Sequence, residues 1–126
     1  MFPAQNNEQP IFMQLASIIE DDILTRIYKE EDQIMSTTDM SVTLKINPAT
    51  ANKAINLLVD QGLLYKKRGL GMFVAPGARE KILIRRQDRF KDSFVVPLLK
   101  EAAKIELSKD RIFKILEKEG AVDESY

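Results

Sequence analysis

Three residue types are missing from the 126-residue sequence: it has no cysteine, no histidine and no tryptophan. Without Cys there is no disulfide and no thiolate nucleophile. Without His, catalytic triads and the common zinc and iron sites lose their main participants. The carboxylates and lysines that remain form no Gly-rich phosphate loop and no DxD-type cluster. The acidic run Glu20-Asp21-Asp22 falls inside a helical pattern, where it reads as a solvated face. An enzyme is therefore not expected, nor are catalytic residues, a metal site or a cofactor. Long apolar runs are missing too. None approaches the ~18–20 residues of a membrane span, and the N-terminus carries no basic-then-apolar signal pattern. A cytoplasmic chain with no membrane partner is expected, and the absence of Cys fits a reducing compartment.

Net charge is also absent, with 19 basic and 19 acidic side chains, but the charges are segregated. From Glu8 to Ser41 eight acids face two bases; from Val42 to Val74 five bases face one acid; beyond Ala75 the two signs nearly balance. Binding follows local potential, so the middle segment points to a polyanion. Glycine is scarce at five residues, and two of them, Gly69 and Gly71, flank a turn in "LLYKKRGLGMFV". Leu63 to Tyr65 and Met72 to Val74 read as short strands of a hairpin with Lys66, Lys67 and Arg68 at its tip. An isolated basic loop is commonly only solvated; its neighbours upstream give it a function.

Residues 1–9 have no pattern and read as a flexible arm. From Pro10 a helical stripe runs through Ile11, Leu15, Ile18, Ile19, Asp22, Ile23 and Ile27, fading near Thr25–Tyr28 before a charged "KEEDQ" loop. Ser36, with Asp39 three residues on, opens a short helix from Thr37 to about Leu44, Met40 and Leu44 facing inward. Asn47 followed by Pro48 is a second start signal. It opens a helix to Asp60 whose buried stripe is Ala51, Ala54, Ile55 and Leu58, closed by Gly62 in the left-handed region. Two short helices, a tight turn and a hairpin make a winged helix-turn-helix, so the fold class is mainly α with a small β-hairpin wing. In that geometry the second helix enters the major groove by its N-terminal end and the wing lies on the backbone or minor groove. The outer face of the helix carries Ala49, Thr50, Asn52, Lys53 and Asn56, small or hydrogen-bonding residues suited to base edges and phosphates.

The segments "PIFMQLASIIEDDI", "DQIMSTTDMSVTL", "INPATANKAINLLVDQGLL" and "KKRGLGMFV", from Pro10 to about Ala75, together resemble the GntR family of bacterial transcription regulators. The short remainder looks like the YtrA-like subfamily, whose C-terminal part is a few dimer-forming helices. The resemblance implies a dimeric repressor that binds double-stranded DNA at an inverted repeat, controlling a transport or envelope-stress operon. It implies DNA contacts at Asn47, Pro48, Thr50, Lys53, Arg68 and Gly69, and, less directly, at Ser36, Thr38 and Lys45, in the stretch where the chain departs from the family at Met35, Thr38 and Lys45. Met35 and Thr38 stand where the family has Pro and Arg, and Lys45 where the turn usually has Gly, a position that often needs φ > 0. With Ala49, Asn52, Lys66 and Lys67 these residues complete the expected DNA-binding set.

Beyond the wing, residues 77–120 read as helices that cannot form a core alone. Pro97 is expected to kink or break the first and to bias Val96 away from αR; Ser108 recaps a last helix ending at Gly120, and residues 121–126 read as a frayed tail. Ile82, Phe90, Phe94, Leu98, Leu99, Ala102, Ile112 and Leu116 are the expected dimer contacts between this segment and a second copy, the winged domain spanning residues 10–76. Arg85, Arg86 and Arg89 have three readings: ion pairs with Asp88 and Asp92, phosphate contacts, or an anionic effector site, the effector being unknown. A winged helix that binds protein instead of DNA is the alternative function, since fold alone does not fix function.

Overall fold

A computed structural model describes residues 9–122, and side chains as far as Gly120. The arm over 1–9 and the tail over 121–126 therefore fall outside the described residues, except for Gln9 and the backbone of 121 and 122. Helix α1 (Ile11–Leu24) is followed by α2 (Thr37–Leu44) and α3 (Pro48–Asp60), then by the hairpin strands β1 (Leu64–Lys67) and β2 (Gly71–Val74). Helix α4 (Ala78–Phe90), a π-helical turn (Lys91–Val95), α5 (Val96–Lys104) and α6 (Lys109–Val122) complete the order. The architecture is a mostly helical winged helix-turn-helix followed by helices. No helix among the described residues is long and apolar enough to cross a membrane.

Two compact units divide the chain, the first ending at Arg85 and the second beginning at Arg86. In the first, α1 lays Leu15, Ala16, Ile19 and Ile23 against α3, which contributes Ala51, Ala54, Ile55 and Leu58, as its stripe predicts. The α1 stripe differs from expectation: Ile11, Ile18 and Ile27 are exposed. The buried sector follows the i, i+4 line from Leu15 and includes small Ala16, so it turns away from Ile18 on the opposite flank. Met40 is buried, whereas Leu44, expected inward, is exposed. Helix α2 stops at Leu44, and Ile46 packs against the core from beyond the turn instead.

The end of α3 shows how local sequence and packing cooperate. The N–H of Gly62 bonds to the carbonyl of Val59 and that of Leu63 to Leu58, both at 2.9 Å, with Gly62 at φ 75°. This is a Schellman closure, and its apolar contact pairs Leu58 with Leu63, both fully buried. The first unit extends past residue 76, the expected end of the winged domain, because Ala78 and Ile82 of α4 belong to its core. Ile82 was expected at a dimer face; with no exposed surface it is instead a core residue of its own chain.

In the second unit Pro97 neither breaks the chain nor moves Val96 out of αR, which has φ −61° and ψ −49°. The helix widens instead: the Val96 N–H bonds to the Lys91 carbonyl five residues back. The π turn removes the clash that the proline ring would make in a regular α-helix, and the missing Pro97 donor falls at the start of α5. Ser108 does recap the last helix, its Oγ accepting from the Arg111 N–H at 3.2 Å. That helix runs through Gly120 to Val122, since a glycine weakens a helix without ending it. Ala102 and Ile112 are covered within the chain, whereas Phe90, Phe94, Leu98, Leu99 and Leu116 are exposed.

Candidate nucleic-acid interface

Both helices of the helix-turn-helix are started by side chains. Ser36 Oγ accepts from the Asp39 N–H at 3.0 Å and Asn47 Oδ1 from the Ala49 N–H at 2.8 Å. Pro48 has no donor, and the N–H groups of Thr50 and Ala51 bond to the Asn47 carbonyl. The first backbone donors of α3 are thus consumed within the helix, so any reading of DNA there falls to side chains. Asn47 has committed its carbonyl oxygen to the cap and keeps its NH2 group as the hydrogen-bonding capacity it can offer.

The turn between α2 and α3 places Lys45 at φ 55° and ψ 48°, the left-handed region expected at a position where glycine is usual. The Ile46 N–H bonds to the Ser41 carbonyl at 3.1 Å, and Ser41 Oγ donates back to the Ile46 carbonyl at 2.7 Å. These two bonds hold a conformation that disfavours a lysine by about 1 kcal/mol. On α3, Ala49, Asn52, Lys53 and Asn56 are exposed and Thr50 is half-buried. Lys53 Nζ lies 4.4 Å from the centroid of the Phe12 ring on α1, a cation–π seat that sequence spacing does not reveal.

The wing differs from its sequence reading. Lys66 and Lys67 are not at the tip but in β1, paired with Met72 and Gly71; the connecting turn is Arg68, Gly69 and Leu70. Alternation along the strand sends the two lysines to opposite faces. Lys67 Nζ sits 4.3 Å from the Phe73 ring centroid and 5.8 Å from that of Tyr65, and Phe73 is the cross-strand partner of Tyr65. Lys66 and Arg68 are exposed.

The acidic loop before α2, read as a plain connection, turns out to brace the wing. Glu31 donates its N–H to the Val74 carbonyl, Val74 donates to Asp32, and Ile34 donates to Met72, with Gln33 bridged to Phe73. Glu30 accepts from the Gly77 N–H and Glu31 from the Tyr65 hydroxyl, each at 2.7 Å. That bond to Glu31 is the main reason the Tyr65 hydroxyl titrates above its ordinary value. Gln33 Nε2 donates to the Leu70 carbonyl at 2.6 Å, and a Cβ on Gly71, which has φ 126°, would stand 2.8 Å from that nitrogen. Only one buried residue, Ile34, marks this paired segment, too few for periodicity to register.

Of the arginine cluster, Arg85 forms an ion pair, but with a different partner from the ones expected. Arg85 pairs with Glu20 of α1 at 2.8 Å, not with Asp88 or Asp92. Glu20, expected to be solvated, is only 14% exposed at its side chain. Arg86 is half-buried and Arg89 exposed. Among the described residues, no three His, Cys, Asp or Glu side chains gather where they could hold a metal ion.

No protein-family model matches the sequence. The HTH-type transcriptional regulator YurK of Bacillus subtilis (strain 168) is 30% identical over 86 residues, 67% of this chain but only 36% of YurK. The chain thus spans about a third of the length of that relative. A solved GntR-family transcriptional regulator from Bacteroides thetaiotaomicron is 32% identical, with a TM-score of 0.68, over 86% of this chain and 95% of its own. The DNA-binding domain of AraR, solved in complex with an operator, is 32% identical with a TM-score of 0.51, over 52% of this chain and 80% of its own. Sequence and fold therefore agree along nearly the whole length of one relative, and the chain belongs to the GntR family of transcriptional regulators.

Proposed function

We propose that the protein is a sequence-specific, dimeric repressor of the YtrA-like kind that binds an inverted-repeat operator in double-stranded DNA. The observation that carries this reading is the N-terminal end of α3. It is locked by Asn47 and Pro48, flanked by Lys45, and presents exposed Ala49, Asn52, Lys53 and Asn56. Asn52 and Thr50 read base edges; Asn47, Lys53 and Lys45 contact phosphates or base edges at the groove entrance; Ser36 and Thr38 meet the adjoining backbone. Lys66, Lys67, Arg68 and Gly69 carry the wing along the flanking phosphates. AraR, a relative over about half the chain, was solved with its operator, which supports the same partner here.

The dimer is formed by the helices beyond the wing, residues 77–120 in the sequence reading, less Ile82. Phe90, Phe94, Leu98, Leu99 and Leu116 of that segment are exposed, as are Ile105, Phe113 and Ile115. So dense a set of large apolar side chains on short helices calls for a covering surface. A second copy supplies it and sets two α3 helices against two half-sites. Repression of a transport or envelope-stress operon follows the subfamily resemblance. The experiment is in vitro selection from random duplex DNA with the purified full chain at near-physiological salt. An enriched inverted repeat is expected; retention without any enriched motif refutes sequence-specific reading, and no retention at all refutes DNA binding.

A further inference from the structure

We propose that Leu70 is a minor-groove reader: an apolar wedge at the tip of the wing that makes the protein distinguish A·T from G·C pairs beneath it. This rests on the DNA-binding reading above. A lone exposed leucine is ordinary on a protein surface; what sets Leu70 apart is how its turn is built. It is 64% exposed at the end of the three-residue connection Arg68-Gly69-Leu70, with Arg68 and Lys67 just before Gly69. Its own N–H is bonded to the Lys67 carbonyl at 2.9 Å and its carbonyl accepts from Gln33 Nε2 at 2.6 Å. Both backbone polar groups are thus satisfied inside the wing, so the tip can leave water without stranding either.

The tip is also slim and held in place. A Cβ at Gly69 would touch nothing within 4 Å in the protein, so no internal contact demands a glycine there apart from its φ of 79°. Gly71 on the other side gives its space to the Gln33 side chain. Leucine is therefore the one bulky side chain between two glycines, beside bases that suit the phosphates bordering a groove. The minor groove is about 6 Å wide, and its floor is free of donors at A·T pairs but carries the guanine 2-amino group at G·C pairs. An apolar wedge packs on the first and strands the donor of the second.

The test uses the full chain and the duplex recovered by selection, with the base pairs beneath the wing made A·T, inosine·C or G·C. Inosine keeps the major-groove edge of guanine and lacks only its 2-amino group. The wild-type protein is expected to bind the A·T and inosine·C duplexes equally and the G·C duplex about fivefold more weakly. Leu70→Ala is expected to lose that preference with an unchanged salt slope, because no phosphate contact is removed, while Leu70→Met retains it. A wild-type protein indifferent to the 2-amino group, or a Leu70→Ala variant that still discriminates, overturns the proposal while leaving DNA binding intact. Failure of the wild-type protein to bind any of the three duplexes overturns the DNA-binding reading itself.

Discussion

Replacing Asn47 separates what this residue does for the fold from what it does for DNA. Its Oδ1 accepts from the Ala49 N–H at 2.8 Å, and loss of such a cap costs about 1 kcal/mol. In a domain of this size that lowers the melting temperature by about 4–8 °C, so Asn47→Ala should melt that much lower. Asn47→Asp keeps the acceptor and adds a negative charge at the helix N-terminus, which contributes about 0.3–1 kcal/mol in favour of the fold. It should melt at or above the wild-type temperature. On DNA the order reverses for aspartate: it has lost the NH2 donor and brings a carboxylate to the phosphates. Loss of one good contact weakens binding by about 1–3 kcal/mol, roughly five- to 150-fold. Thermal denaturation followed by circular dichroism measures the first quantity, and fluorescence anisotropy on the selected duplex at fixed salt the second. If Asn47→Asp melts as low as Asn47→Ala, the cap is not what Asn47 contributes to stability. If Asn47→Asp binds DNA like the wild type, the start of α3 does not face the phosphates.

Other perturbations test the wing, the second unit and the first helix. Lys67→Ala and Arg68→Ala should each reduce the slope of log affinity against log salt by about 0.9; an unchanged slope in a salt titration removes that residue from the backbone contacts. Gly71→Ala forces a Cβ onto Gln33 at an unfavourable φ and should cost about 1–2 kcal/mol, a loss that urea denaturation would detect and that a wild-type midpoint would refute. Phe94→Asp should give monomers in sedimentation and lose high-affinity operator binding, whereas an intact dimer would place Phe94 away from the interface. Asp22 titrates above its ordinary value of 3.8 because burial disfavours its charge and Asp21 adds repulsion. Its ionisation therefore penalises the fold at neutral pH, and the penalty disappears as pH falls below the unfolded value. Asp22→Asn should be at least as stable as wild type at pH 7 and lose that advantage below about pH 3.8; an advantage that persists in acid would contradict the sign.

Acidic and basic residues divide the labour in the first unit. Glu30, Glu31 and Asp32 are not idle counter-charges: Glu30 and Glu31 accept hydrogen bonds from Gly77 and Tyr65, and Asp32 accepts one from the Lys29 N–H at 2.8 Å. Arg79 Nε donates to the Leu24 carbonyl at 2.8 Å, closing the C-terminal end of α1. Much of the acidic N-terminal segment is thus committed to bracing α1 and the hairpin, while the bases from Lys45 to Arg68 remain on the helix-turn-helix and wing.

Local chemistry was legible wherever one residue settles its own backbone. Ser36, Asn47-Pro48, Gly62 and Ser108 specify helix ends through single hydrogen bonds or a single dihedral, and the α3 stripe follows from a period of 3.6 residues. Those signals were enough for the helix-turn-helix, the hairpin and the identity of the outward residues on α3. Tertiary structure alone decided which of two plausible apolar flanks of α1 is buried, that Ile82 serves its own core, and that Arg85 seeks Glu20 across 65 residues of chain. It also decided that Lys53 and Lys67 rest on Phe12 and Phe73, and that an acidic loop pairs with β2 to hold the tip of the wing through Gln33. Each of these depends on partners distant in sequence, whose meeting is fixed by the packing of whole elements and leaves no period or dipeptide in the chain to announce it.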